Sequence, residues 1–194
     1  MEPGIYHIYN RANGNEKLFK EERDYEVFLS KVRKYLVPYM KFYAYCLIPN
    51  HFHFLIKIEE ENSTCQVQEK PDRLTRQFKN FFSGYSKWFN IKHDRSGGLF
   101  MTPYKKKRVE SDNYYTQIIA YIHRNPVHHK LTSDLSSWRY SSYNALVRQN
   151  PTLLQRDEVL SWFGGKSQFI EYHEAVKDEI LNQIELNLLD LSGS

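Results

Sequence analysis

The stretch Met40-Lys41-Phe42-Tyr43-Ala44-Tyr45-Cys46-Leu47-Ile48-Pro49-Asn50-His51-Phe52-His53-Phe54-Leu55-Ile56-Lys57-Ile58-Glu59 decides how this chain is read. Met40 to Leu47 and His51 to Glu59 are rich in aromatic and aliphatic strand formers, and Pro49-Asn50 between them is a turn signal. An antiparallel hairpin follows, with His51 and His53 beside its turn. Side chains alternate along a strand, so the two histidines share one face while Phe52 and Phe54 take the other. Two neutral imidazoles side by side on a rigid strand make half of a site for a divalent metal. A chance pair among the chain's eight histidines would have the same spacing without a function.

Outward from the hairpin, Gly4 to Asn10 is rich in β-formers and ends at the turn Asn13-Gly14-Asn15. Between Glu21 and Tyr35, Tyr25, Phe28, Leu29 and Val32 recur at amphipathic helical spacing, continued by Leu36, and Pro38 stops the run. Glu60 to Pro71 is polar and reads as a loop. Leu74, Phe78, Phe81, Phe82, Tyr85, Trp88 and Phe89 then mark a second helix, an aromatic series best read as core. After Gly97-Gly98, Leu99 to Val109 reads as a strand interrupted at Pro103. A third helix is expected from Asp112, as cap, through Arg124, with Ile118, Ile119 and Ile122 as its buried stripe. Pro126 biases Asn125 away from helix and is expected to end it. The order β-α-β-β-α-β-α predicts an α+β fold whose first six elements form a ferredoxin-like antiparallel sheet with helices packed on one face. Residues 1–130 are read as this domain. Residues 131–194 are read as a C-terminal helical extension, with Arg156 to Phe163 and Ser167 to Leu189 as candidate helices.

The chain is 194 residues long, 41% hydrophobic and 26% charged, the composition of an ordinary globular protein. No apolar run approaches the roughly 20 residues a membrane span requires. Met1-Glu2-Pro3-Gly4 lacks the basic start and apolar core of a signal peptide, and Cys46 and Cys65 form no disulfide pattern. The expected location is therefore the reducing cytoplasm. The charge is unevenly spread. Residues 1–130 carry 22 Lys/Arg against 14 Asp/Glu, a balance of +8, while residues 131–194 carry 5 against 9, a balance of −4. Excess positive charge on the segment that holds the histidine pair favours a polyanion such as nucleic acid, although a solvated surface has the same asymmetry.

On the third helix Tyr121 and Asn125 stand four residues apart and so share a face. A tyrosine that attacks a phosphate needs a metal beside that phosphate, and an amide one turn away can supply a third ligand beside His51 and His53. In a chain with 15 tyrosines such a pair also arises by chance, and helix tyrosines commonly serve packing. Tyr114, two turns earlier on nearly the same face, is the alternative nucleophile, whereas Tyr115 reads as core. His123, His128 and His129 lie off the Tyr121 face or past the helix and are read as solvent-facing or phosphate-contacting. Lys105-Lys106-Lys107-Arg108 places four cations on both faces of a strand, where they suit phosphate contact, with Phe100 and Tyr104 near enough for base stacking. Lysines on an edge strand also block unwanted pairing.

Taken together, these segments resemble the REP-associated tyrosine transposases, a branch of the single-tyrosine HUH transposases of bacterial insertion sequences. Tyr6-His7-Ile8-Tyr9-Asn10-Arg11 is similar to the family's opening strand, and Pro49-Asn50-His51-Phe52-His53 to its His-hydrophobic-His motif. Ser96-Gly97-Gly98-Leu99-Phe100 resembles the segment before its basic strand, and Tyr121-Ile122-His123-Arg124-Asn125-Pro126-Val127 its nucleophile helix. Trp138-Arg139-Tyr140-Ser141-Ser142-Tyr143 resembles its C-terminal signature, so five motifs occur in the family's order.

The resemblance implies an endonuclease and strand transferase for single-stranded DNA that depends on Mg²⁺ or Mn²⁺. Tyr121 would carry a 5′-phosphotyrosine and leave a free 3′-hydroxyl, and His51 and His53 would bind the metal. Asn125 stands where related enzymes complete that site with a glutamine. Arg11, Lys105, Lys106, Lys107, Arg108 and Arg124 would contact DNA. The implied substrates are imperfect palindromic repeats that fold into hairpins beside a short guide sequence. Where the family commonly continues with arginine and small residues, this chain has His128-His129-Lys130. The acidic extension argues against a second DNA surface and could cover a dimer face, which favours a monomer over the dimers of related transposases. The alternative from another class is a non-catalytic nucleic-acid-binding module on the same fold. A metal hydrolase without a covalent step is a further alternative.

Overall fold

The computed structural model describes residues 1–60, 70–110 and 112–176, and beyond them 179, 182–184 and 186. Four strands, β1 (Gly4–Arg11), β2 (Lys41–Ile48), β3 (His51–Ile58) and β4 (Lys105–Val109), form one antiparallel sheet in the order β2-β3-β1-β4. With α1 (Glu22–Tyr35) and α2 (Lys70–Lys92) this is the expected βαββαβ arrangement. The expected loop at Glu60 to Pro71 falls largely on 61–69, outside the described residues, as does Cys65, while Cys46 is buried and free.

The alternation along β3 sorts the two layers. Phe52 and Phe54 point to the face covered by α1 and α2, where Phe28 lies 5.2 Å from Phe52, 5.0 Å from Phe81 and 5.0 Å from Tyr85, ring centre to ring centre. Asp24, fully buried in the first turn of α1, accepts hydrogen bonds from the backbone N–H groups of Lys20 and Glu21 and pairs with His93 after α2 at 2.9 Å. That bond ties the two helices together as their aromatic faces meet. The Pro49-Asn50 turn is pinned as well. The Pro49 carbonyl accepts from Leu18 and Phe19, and the Asn50 carbonyl accepts from Ala12. His51 thus starts β3 from an immobilised turn.

The other face of the sheet is covered by α3 (Asp112–His128). The expectation that Pro126 ends this helix before Asn125 is corrected, because α3 runs through Pro126 to His128. Proline deletes the bond its own nitrogen would have made and its ring crowds the carbonyl one turn back, yet the helix continues and its end is closed beyond Pro126. Lys130 adopts left-handed backbone (φ 56°), its N–H bonds to the Val127 carbonyl, and the Leu131 N–H reaches back to Pro126. Asn125 is therefore held in helical geometry, one turn beyond Tyr121. The strand expected over Leu99 to Val109 forms only from Lys105, with Phe100 making one isolated bridge to Ala12.

Residues beyond Leu131 run along the open edge of β2 and then over α3. Leu47 N–H bonds to the Tyr140 carbonyl, Ser142 N–H to the Tyr45 carbonyl, and Gln155 N–H to the Phe42 carbonyl, so the unpaired groups of that edge find partners. The short helix α4 (Tyr143–Val147) is followed by α5 (Arg156–Phe163) and α6 (Lys166–Ala175), which enclose α3 from outside. The single helix expected over Ser167 to Leu189 is corrected: α6 ends at Ala175, where Val176 turns to extended backbone, and much of the rest falls outside the described residues.

Candidate active site

His51, His53, Tyr121 and Asn125 meet between β3 and α3. His51 Nε2 lies 2.8 Å from Asn125 Oδ1, and Asn125 is only 2% exposed. The two imidazole centres are 5.0 Å apart, and the Tyr121 ring stands edge-on to His53 at 5.3 Å. Tyr121 is 6% exposed. The i,i+4 spacing of Tyr121 and Asn125 points both at the strand face that carries the histidines.

A third histidine belongs to this cluster. His7 on β1 is fully buried, with its Nε2 3.0 Å from His53 Nδ1 and its ring stacked on His53 at 5.1 Å. In the sequence His7 stands out only as part of the opening strand. The alternation His7-Tyr9 already placed it on one face with Tyr9. Only the β1–β3 register, with Tyr9 opposite His53, brings it diagonally to His53.

Burial keeps all three imidazoles neutral at pH 7. It pushes His51 down to about 4, against the opposing Asn125 contact and with help from His129 and Arg11. Burial, then the Lys107 charge, pushes His7 to about 3, and burial with the neighbouring histidines holds His53 well below its ordinary value. Neutral imidazole is the ligand form.

The donor set, two neutral imidazoles and an amide oxygen, fits a divalent cation. A neutral imidazole has one N–H, yet His51 places Nδ1 2.9 Å from Asn50 Oδ1 and Nε2 2.8 Å from Asn125 Oδ1. If Nδ1–H donates to Asn50, Nε2 and the Asn125 oxygen present two lone pairs to each other, which a shared cation would satisfy. A turned Asn125 amide, donating through Nδ2, satisfies the same contact without metal. His53 Nε2 is a second argument, since it is buried with no hydrogen-bond partner in the protein. Leaving such an atom unmatched costs about 1–3 kcal/mol. Among the described residues no three His, Cys, Asp or Glu side chains converge as a metal cluster, so the set here depends on an amide.

The basic strand divides by face. Lys105 lies opposite Tyr9 and Lys107 opposite His7, so both share the histidine face, and Lys107 Nζ sits 5.4 Å over the Tyr114 ring. Lys106 and Arg108 take the other face, where Arg108 approaches Glu2 (3.3 Å) and Glu110 (3.8 Å). Arg11 is exposed and lies opposite His51 at the end of β1. Exposed His129 lies 4.9 Å from the His51 ring. Arg124 is not brought to this face, because its guanidinium bonds to the His173 carbonyl on α6 at 3.0 Å.

His123 is likewise corrected from solvent-facing to fully buried. Burial lowers His123 well below its usual value and His173 to about 4, so both are neutral. His173 Nδ1–H donates to the Phe169 carbonyl at 2.7 Å, which leaves its Nε2 to accept from His123 Nδ1–H at 2.8 Å. Ser142 Oγ–H then donates to His123 Nε2 at 2.7 Å, while its oxygen accepts the Tyr45 N–H at 2.8 Å. This chain joins β2, α3 and α6 with every polar atom matched. Sequence periodicity carries no sign of it, since the residues it joins across elements lie 19 to 97 positions apart.

No protein-family model matches the sequence, and no curated protein matches it. A solved structure of a REP-associated tyrosine transposase bound to a REP hairpin is similar to it, with a TM-score of 0.53 over 79% of this chain and 85% of that one, at 14% identity. The fold is therefore shared. Among the described residues no helix is long and apolar enough to cross a membrane.

Proposed function

We propose that this chain cuts and rejoins single-stranded DNA at hairpin-forming palindromic repeats through Tyr121. The observation that carries the reading is the meeting of His51, His53 and Asn125 on the face where Tyr121 packs against His53. His51 Nε2, His53 Nε2 and Asn125 Oδ1 would hold Mg²⁺ or Mn²⁺. Such an ion polarises a scissile phosphate and lowers the barrier to attack on it. Tyr121 Oη forms a bond to phosphorus as the P–O3′ bond breaks. The product is a 5′-phosphotyrosine, and the departing 3′ oxygen takes up a proton. The phenol must lose its own proton to make this attack. Reversal by an incoming 3′-hydroxyl rejoins the strand, since the covalent link conserves the bond.

Arg11, Lys105 and Lys107 stand on or beside this face and would grip backbone phosphates. In this reading residues 1–130 are the catalytic unit, 131–194 the extension, and the protein acts as a cytoplasmic monomer. The deep burial of Tyr121 favours the second reading, a DNA-binding module without chemistry.

A denaturing gel decides between them, using hairpins drawn from inverted repeats flanking the gene, with and without Mg²⁺ or Mn²⁺. A covalent adduct that requires the metal and disappears in Tyr121→Phe, with hairpin binding nearly intact, supports the enzyme. Full adduct in that variant moves the nucleophile, with Tyr114 the first suspect. Cleavage without any adduct points to the hydrolase, and unchanged cleavage in His51→Ala/His53→Ala refutes the metal assignment.

A further inference from the structure

The protein contains two buried histidine pairs, and they differ in how their outer nitrogens end. In the His123–His173 pair both are matched, one by Ser142 Oγ and the other by the Phe169 carbonyl. Such a closed chain is what a structural role requires. In the His7–His53 pair the inner nitrogens meet at 3.0 Å, but the outer ones, His7 Nδ1 and His53 Nε2, are buried without protein partners. A pair selected only to fill the core would be better replaced by apolar side chains, which strand no polar atoms.

The open end matters because the pair is polar in direction. One proton lies between His7 Nε2 and His53 Nδ1. If it belongs to His7, His53 must carry its own proton on Nε2 and cannot ligate through that atom. If it belongs to His53, Nε2 keeps its lone pair and His7 carries its own proton on Nδ1. Packing holds both rings in place for this choice. Tyr9 stacks on His7 at 5.0 Å and on His53 at 5.7 Å, and the Tyr121 ring stands edge-on to His7 at 6.2 Å as well as to His53.

We infer that His7 is a positioning residue of the metal site: its Nε2 accepts the Nδ1 proton of His53 and so keeps His53 Nε2 free to bind the cation. The inference rests on the proposed metal role of His53. It assigns to β1, through a fully buried residue bonded to His53, control over ligand tautomer and ring orientation. Outer partners of this kind are worth about 10- to 100-fold in metal affinity.

Long-range ¹⁵N spectra of the imidazoles in the metal-free full chain test the tautomer directly, and the result expected is Nδ1–H for both His53 and His7. Mn²⁺ binding, followed by the loss of the free-ion electron paramagnetic resonance signal, is then compared in wild type, His7→Phe, His7→Gln and His53→Ala. His7→Phe should weaken binding about 10- to 100-fold. His7→Gln should stay within about threefold of wild type, because Gln Oε1 can accept the same proton. Should His7→Phe fail to fold, the spectrum and His7→Gln still decide. An Nε2–H tautomer at His53, or a folded His7→Phe that binds Mn²⁺ like wild type while His53→Ala does not, overturns the role of His7. Wild-type binding that survives in His53→Ala overturns the metal reading itself, and the inference with it.

Discussion

Acid should loosen the attachment of α6 to α3, and His173 sets the size of the effect. Its pKa falls from 6.5 in the open chain to about 4 in the fold, chiefly through burial. The unfolded state therefore binds a proton that the native state refuses, and stability is complete above about pH 6.5 and lost as the pH falls toward 4. With these values the loss from His173 alone is about 2 kcal/mol at pH 5 and about 3 kcal/mol at pH 4. Against a typical total of ~5–15 kcal/mol that is a large fraction. Other buried histidines, His7 and His51 among them, titrate in the same direction, so the wild-type curve by itself does not isolate His173. His173→Phe does. The phenyl ring keeps the packing against Phe169, Phe163 and Tyr143 but strands the His123 Nδ1–H. At pH 7.5 it should therefore be less stable than wild type by about 1–3 kcal/mol. Urea unfolding followed by circular dichroism at pH 7.5, 6.5, 5.5 and 5.0 measures both proteins. The gap should close by about 2 kcal/mol at pH 5, because only wild type retains the titrating group. A gap that stays constant to within about 0.5 kcal/mol across this range would refute the linkage.

Reversing charge on the histidine face, in Lys105→Glu or Lys107→Glu, should weaken hairpin binding and flatten its salt dependence by about 0.7–0.9 per lost phosphate contact, whereas Lys106→Glu should do less. Equal effects at all three positions in a salt titration would remove the facial assignment. Arg124→Ala should lower the unfolding midpoint and leave that salt slope unchanged, since its guanidinium serves α6. A flatter slope would return Arg124 to the DNA. Lys130→Gly should stabilise the chain by about 1 kcal/mol, because its left-handed backbone is strained for any residue with a Cβ. Destabilisation in thermal unfolding would show that the lysine side chain matters more than the backbone.

Much of the sheet could be read locally because strand and helix periods are local. The turn at Pro49-Asn50 and the alternation His51-Phe52-His53-Phe54 define a hairpin and assign its faces without any tertiary information. The end expected for α3 before Asn125 likewise comes from a local signal. Proline's bias against a helical Asn125 is a preference of modest size, and the closing bonds from Lys130 to Val127 and from Leu131 to Pro126 outweigh it. His123 differs from expectation for a tertiary reason. Its position off the Tyr121 face suggested solvent, yet that side is occupied by His173, 50 residues later.

The sequence alone determined the βαββαβ order, the common face of His51 and His53, and the i,i+4 spacing that gives Tyr121 and Asn125 a common face once the helix reaches both. Each depends only on the geometry of one element, two residues per strand repeat or 3.6 per helical turn. The tertiary structure alone decided that these two faces meet, that His7 joins them through the β1–β3 register, and that Arg124 and His123 turn toward α6. Those are contacts between separate elements, set by sheet order and helix docking. Burial then chose the neutral imidazoles that a metal site requires, because a side chain's desolvation is a property of everything packed around it.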